Sequence, residues 1–159
     1  MARFTHLARA KDEASIRHGG IKPTRVTNGV SGDYAMPVLP SYFASHQWLR
    51  ELRRLGTTRL VAVDFVIPDS EEVRGGHYSR PHATMTAAEA TGVIMHADDP
   101  RGCEVLIPRK IPPQDLRRTR QVPQVVGWRY WPDGHGHEPC GCEVCQRGTF
   151  KAAQFRDRD

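Results

Sequence analysis

The sequence lacks the features that mark membrane proteins and disulfide-rich secreted proteins. Its 159 residues contain no run of about 18 uninterrupted apolar residues, which excludes a membrane-spanning helix. Residues 1–6 contain no apolar segment of the kind that a secretory signal requires, so we expect no signal peptide. Four cysteines are too few for a disulfide scaffold. We therefore expect a cytoplasmic protein with no membrane partner.

Charge is unevenly distributed along the chain. The formal net charge of +5 arises from basic residues in 1–60 and 101–159, which flank an acidic stretch in 61–100. The densest basic stretch runs from Arg109 to Arg120 and is interrupted only by Asp115. Such a stretch can contact phosphate groups. A solvated basic face explains the same charge equally well.

Hydrophobic patterning predicts an α+β domain. Strands are predicted at residues 3–8, 34–39, 59–67, 103–108 and 124–131. Both faces of the 59–67 segment are largely apolar, which predicts a central strand. Helices are predicted from Asp12 to Gly19-Gly20, from Ser41 or Ser45 to Leu55, and from Thr86 to Met95. Residues 27–32 are predicted as a loop, and the irregular alternation of strands and helices disfavours a doubly wound sheet.

Three short motifs follow one another in the first 110 residues. The first is Phe4-Thr5-His6-Leu7, with Ile-Arg-His-Gly-Gly-Ile at 16–21, and the second is Asp-Tyr-Ala-Met-Pro-Val at 33–38. The third is Glu-Val-Leu-Ile-Pro at 104–108. In this order they resemble the ADP-ribosyltransferase-fold superfamily, in particular its DarT-like members of the His-Tyr-Glu type. The resemblance implies a split β-sheet core with short helices.

The same resemblance implies an enzyme that cleaves NAD and transfers its ADP-ribose group. Glu104 would then be catalytic, because a carboxylate stabilises the positive charge that develops on ribose. Tyr34 would stack on nicotinamide, with Tyr42 as the competing tyrosine. The remaining NAD-binding residues would be His6, Gly19 and Gly20. When each residue is considered alone, His6 is equally consistent with a core histidine, and Tyr34 is equally consistent with an ordinary aromatic residue of a strand.

The expected acceptor is a nucleic acid, DNA or RNA. Many protein-modifying relatives carry Gln or Glu two residues before the catalytic glutamate, and this chain has Gly102 there. The expected phosphate contacts are Arg101, Arg109, Lys110, Arg117 and Arg118. A protein or small-molecule acceptor is the alternative. A toxin-like effector of this kind would have an antitoxin protein as a partner.

Histidine and cysteine cluster near the carboxyl end. The expected ligands of a structural zinc ion are His137, Cys140, Cys142 and Cys145, and His135 or Cys103 can replace the histidine. Four protein ligands would close the metal to substrate. The predicted organisation is therefore a transferase-like domain at 1–131 and a zinc-binding tail at 132–159 packed on it.

Three other functions are weighed against this one. A zinc deaminase needs His-x-Glu and Pro-Cys-x-x-Cys, but Glu143 stands at the last cysteine position and the segment 96–98 lacks the glutamate. An RNA 2′-phosphotransferase needs further Arg and His residues, for which Arg25 is the one obvious candidate. A zinc-stabilised nucleic-acid-binding module without enzymatic activity would use the basic stretch together with Trp128, Tyr130 and Trp131.

Overall fold

The computed structural model describes residues 1–27, 29–54 and 59–127, with the backbone alone described at 25–27 and 54. The strands are β1 (Ala2–Arg9), β2 (Arg25–Thr27), β3 (Val30–Pro37), β4 (Leu60–Ile67), β5 (Glu72–His77), β6 (Ala83–Thr86), β7 (Cys103–Ile107) and β8 (Leu116–Gln121). The helices are α1 (Glu13–Gly19), α2 (Tyr42–His46), α3 (Leu49–Arg54) and α4 (Ala87–Met95). None of the helices in these ranges is long and apolar enough to cross a membrane.

The strands form one antiparallel sheet in the order β6-β5-β7-β3-β1-β4-β8, and β2 pairs with β3 beside this path. Short helices are interspersed between the strands along the chain, which confirms the α+β class. All residues of β4 are buried between β1 and β8. The central strand that the apolar pattern predicts is therefore confirmed.

Strand β1 is shared unequally between its two neighbours. It pairs with β4 from Ala2 to Arg9, but it pairs with β3 only through Phe4–Pro37 and Thr5–Met36. Along its other edge β3 pairs with β7. The β4 half and the β7 half of the sheet are therefore joined by a short ladder near the start of β1.

Hydrophobic side chains pack on both faces of the sheet. On one face Phe4 stacks on Phe65 with ring centroids 6.1 Å apart, within a cluster that includes the buried residues of α4. On the other face Leu60 and Ala62 of β4 pack with Leu49 of α3. The second cluster holds α2 and α3 over the β4 half of the sheet.

The single helix predicted between residues 41 and 55 is wrong, because α2 and α3 are separate. Ser41 caps α2, and its hydroxyl accepts a hydrogen bond from the backbone N–H of Ala44 at 3.2 Å. The chain leaves the helix at Gln47 and Trp48, whose side chains bind backbone groups near the start of β7. Non-local hydrogen bonds thus override the helical periodicity.

Strands β2, β5, β6 and β8 are not predicted by the sequence pattern. The loop predicted at 27–32 is wrong because β2 and β3 form a hairpin there, and Gly29 adopts the φ of +76° that a tight turn favours. The strand predicted at 124–131 is wrong over 124–127, which form turns, and its remainder lies outside the described residues. Polar and glycine-rich strands are stabilised by their ladders, which composition does not reveal.

A buried ionic cluster ties α2 to β4 and β8. Asp64, 1% exposed, accepts hydrogen bonds from Arg118 at 2.8 Å and from Arg120 at 2.7 and 2.8 Å. Burial alone would raise the pKa of Asp64, but the bonds from Arg120 and Arg118 hold it below its usual range. Arg120 also lies 3.1 Å from Nε2 of His46, whose Nδ1 bonds the Tyr42 carbonyl at 2.8 Å. Burial, with a smaller effect of the Arg120 charge, lowers the pKa of His46 to about 4.

We predict that mild acid weakens the fold through His46. Its pKa in the folded state, about 4, lies below the ordinary 6.5, so stability is lost as the pH falls from 6.5 towards 4. Lowering the pH from about 7.5 to about 5 should reduce the free energy of unfolding by about 2 kcal/mol through this residue. Urea unfolding of the wild type and of His46→Gln at both pH values measures the effect. Equal losses in the two proteins would contradict it.

Candidate active site

Glu104 and Tyr34 lie on neighbouring strands and share one face of the sheet. Tyr34 of β3 is paired with Leu106 of β7, and paired residues point to the same side. Because every second residue of a strand also points to one side, Glu104 lies on this face too. Its side chain is only 17% exposed. The structure thus brings together the glutamate and the tyrosine that the sequence motifs single out.

His82, between β5 and β6, joins this pair. Its Nε2 lies 3.2 Å from Oε1 of Glu104, and its ring meets the Tyr34 ring edge-on, with centroids 6.1 Å apart. The side chain is 9% exposed and packs on Gly76 of β5, where a Cβ would come within 3.1 Å of the imidazole Cδ2. His82 is not among the residues that the sequence motifs single out. The available signal is the glycine pair inside β5, because such a pair marks a close approach of other atoms to the strand. Tyr34, His82 and Glu104 are called the Glu104 site below.

His6 lies on the strand next to β3 but on the opposite face. Thr5 pairs with Met36, which shares the face of Tyr34, so the neighbouring His6 points to the other side. The imidazole is nevertheless attached to β3, since its Nδ1 lies 2.9 Å from the carbonyl oxygen of Tyr34. The proposed NAD-binding histidine is therefore connected to the Glu104 site through the backbone of β3.

A shallow depression beside His6 encloses about 180 Å³ of empty space, part of it open to solvent. It is lined by His6, Ile21, Asp33, Tyr34, Ala35, Phe65, Ile107, Arg109 and Ile111. Pockets that bury a drug-sized ligand measure about 300–1,000 Å³. This depression is therefore too small to enclose a dinucleotide.

The turn that leads into β7 is held by the two residues that link α2 to α3. Gln47, fully buried, donates to the Pro100 carbonyl at 2.8 Å and accepts from the Gly102 N–H at 2.7 Å. Trp48 donates from Nε1 to the Cys103 carbonyl at 2.8 Å. These three hydrogen bonds fix the backbone that immediately precedes Glu104. Burial also raises the pKa of the Cys103 thiol, which keeps it protonated and makes it a poor nucleophile.

At Gly102 and Gly20 the backbone conformation and close neighbouring atoms exclude a side chain. Both adopt left-handed φ values, +79° and +77°. A Cβ on Gly102 would collide with the His77 ring, and a Cβ on Gly20 would collide with the backbone carbonyl of Ile111. Gly20 therefore allows Ile21 and Ile111 to pair, whereas the sequence motifs assign it to NAD binding. Gly19, the other glycine assigned to NAD, ends α1.

Tyr42, the competing tyrosine, belongs to the ionic cluster. Its ring stacks on His46 with centroids 4.1 Å apart, and it interacts with Arg120. Tyr34, by contrast, contacts His82 of the Glu104 site. The geometry therefore favours Tyr34 for a role beside the glutamate.

Carboxylates hold three of the five predicted phosphate contacts: Arg101 is bound by Asp99, Arg109 by Glu71 and Arg118 by Asp64. The hydrogen bonds from Arg101 lower the pKa of Asp99, which stays ionised. Lys110 and Arg117 are exposed, and Arg117 donates only to backbone carbonyls within the described residues. The basic stretch therefore presents far less unpaired charge than its composition indicates.

The predicted zinc ligands and the aromatic residues 128–131 lie outside the described residues. Within the described part of the chain, no group of three or more His, Cys, Asp or Glu side chains is arranged to hold a metal ion. Cys103, the alternative ligand, is a free cysteine at the start of β7. The zinc loop stays a prediction from the sequence.

Comparisons with known proteins add no relative: no family model, no curated protein and no solved structure matches the chain. What can be inferred about its chemistry therefore rests on the residues of the site and on the sequence motifs that led to them.

We predict that Gln47→Leu destabilises the protein by about 2–4 kcal/mol, because the Gly102 N–H and the Pro100 carbonyl lose their partner in the interior. Urea unfolding measures the loss. Gln114→Leu is the matched control, since Gln114 is exposed, and it should change the stability by less than about 0.5 kcal/mol. Similar stabilities of the two variants would show that the turn does not depend on Gln47.

Proposed function

We propose that the protein is an NAD-dependent ADP-ribosyltransferase of the DarT-like type that transfers ADP-ribose to a nucleic acid. The observation that carries the proposal is the placement of Glu104 and Tyr34 on one face of the adjacent strands β7 and β3. Strand β1 with His6 comes next in the same sheet. The three sequence motifs are far apart along the chain, and the fold supports the proposal by making their strands neighbours.

The chemistry of the two residues suits cleavage of NAD. The bond between the ribose C1′ and the nicotinamide nitrogen breaks, and positive charge develops on the ribose. In our proposal the Glu104 carboxylate stabilises this charge and accepts a hydrogen bond from the ribose 2′-hydroxyl. Tyr34 offers its ring to the nicotinamide on the same face. Partial burial of Glu104 strengthens its electrostatic effect.

In our proposal Glu104 and Tyr34 bind the ribose and nicotinamide end of NAD, and they leave its adenosine end without a defined site. The small depression next to His6 does not enclose the adenosine end. We therefore place that end along the line where β1 and β3 separate, where His6 contacts the Tyr34 carbonyl oxygen from the opposite face of the sheet. Gly19 and Gly20 support this line indirectly by ending α1 and allowing the bridge from Ile21 to Ile111.

The acceptor would approach the Glu104 site over the turn at 98–102. A nucleic-acid acceptor is supported by the formal net charge of +5 and by the exposed Lys110 and Arg117. The carboxylate partners of Arg101, Arg109 and Arg118 reduce the number of phosphates that the protein can bind. The test below therefore determines the acceptor class separately from the transferase activity.

We predict that Glu104→Gln lowers both NAD cleavage and ADP-ribose transfer at least about 100-fold, because the variant removes the charge that stabilises the ribose cation. The full chain is incubated with NAD labelled in its ADP-ribose part and with DNA, RNA and protein. Label in each pool and released nicotinamide are measured over time.

Glu72→Gln is the matched control, because Glu72 is an exposed glutamate on β5, and this variant should keep the wild-type rates. Thermal unfolding verifies that both variants are folded. A wild type that leaves NAD intact, or a Glu104→Gln variant as fast as the wild type, would refute the transferase. Label confined to protein would retain the transferase and change its acceptor.

We also propose the structural zinc ion from the sequence alone. The protein should bind about one zinc per chain, and Cys142→Ser should lower both the zinc content and the melting temperature. Elemental analysis of the purified protein measures the metal. Cys103→Ser, which changes the cysteine outside the cluster, should keep its zinc; loss of zinc there would identify Cys103 as a ligand. Unchanged zinc content in Cys142→Ser would refute the proposed ligand set.

A further inference from the structure

The proposed reaction leaves His82 without a task, although His82 contacts the proposed catalytic carboxylate. Its Nε2 lies 3.2 Å from Oε1 of Glu104. Among the residues that the structure describes, its Nδ1 makes no hydrogen bond, and this atom is not fully buried. A carboxylate beside Nε2 favours the tautomer that carries its proton on Nε2, which leaves a lone pair on Nδ1. His82 is therefore arranged to accept a proton.

We propose that His82 is the general base that takes the proton from the acceptor during transfer. This inference rests on the proposed function and names the acceptor class more closely: the attacking atom carries a proton, as an amino or ring N–H of a nucleobase or a hydroxyl group does. Glu104 orients the imidazole while it faces the ribose. The arrangement is that of a carboxylate, a histidine and a proton-bearing nucleophile.

The balance of bonds and protons in the reaction requires a base that takes the proton of the acceptor. When the bond from C1′ to the nicotinamide nitrogen breaks, its electron pair stays on that nitrogen and neutralises the positive charge of the pyridinium ring. Nicotinamide therefore leaves without taking a proton. The acceptor forms the new bond to C1′ with its lone pair, and its own proton passes to Nδ1 of His82 and then to water.

The surroundings of His82 hold the imidazole in this position. Gly76 lets the ring lie directly on β5, and the Tyr34 ring packs against it from β3 in a T-shaped arrangement. The side chain is 9% exposed, so little freedom is left to it. A base fixed beside the reacting atoms contributes about 100-fold to 10,000-fold to a rate.

The test compares His82→Ala and His82→Gln with the wild type in the full chain. The probes are labelled NAD and mixed-sequence DNA and RNA, and the readouts are kcat for transfer, KM for NAD and the response to added imidazole. Glutamine keeps a donor towards Glu104 but is not a base. Both variants should lose at least about 100-fold in kcat with a KM for NAD within about twofold of wild type. Added imidazole should restore a measurable part of the rate of His82→Ala.

His96→Ala is the control, since His96 is exposed at the end of α4, and it should transfer at the wild-type rate. Wild-type rates in His82→Gln, or a slow His82→Ala that imidazole does not restore, would overturn the assignment and leave the transferase standing. A wild type that cleaves no NAD would refute the proposed function, and this inference with it. Thermal unfolding shows which variants are folded, and His82→Gln decides the question if His82→Ala is not.

Discussion

The candidate site depends on the backbone hydrogen bonds that β3 makes along its two edges. Along one edge β3 pairs with β1, which forms a full ladder with β4 but only two register pairs with β3. Along the other edge β3 pairs with β7 from Asp33 to Ala35, because the backbone groups of an inner strand need partners on both sides. This second ladder places the strand that carries Glu104 beside the strand that carries Tyr34. The proximity of the two side chains is thus a consequence of main-chain pairing.

Two carboxylates of this sheet, the buried Asp64 and the partly buried Glu104, differ greatly in the partners that satisfy them. Asp64 receives hydrogen bonds from Arg118 and Arg120, and Arg120 is held in turn near neutral His46. Glu104 has His82 beside it and keeps more of its surface exposed. A carboxylate with two arginine partners has little capacity left for a ligand, whereas a carboxylate beside one imidazole retains it. This contrast in partners assigns a structural task to Asp64 and leaves Glu104 available for chemistry.

The sequence predicts those parts of the fold whose signal is local. The apolar run of β4 and the capping box of Thr86 and Glu89 in α4 are such signals, and both are confirmed. Strand β8 is missed because its arginines look solvent-facing until Asp64 pairs with them across the sheet. The site follows the same rule. Glu104 and Tyr34 come from local motifs, whereas His82 becomes visible only once β5, β7 and β3 are assembled.

The hydrogen bonds of Gln47 and Trp48 also bear on how an acceptor would be chosen. They fix the turn before Glu104 to the helices on the β4 half of the sheet, so that turn is part of the folded body and not a free loop. Arg101 within it is neutralised by Asp99. A rigid turn whose arginine is already paired selects by shape and hydrogen bonding more than by long-range attraction. Attraction of a polyanion would then depend on the few exposed cations further along the chain. Recognition of the acceptor atom would depend on the turn and on His82.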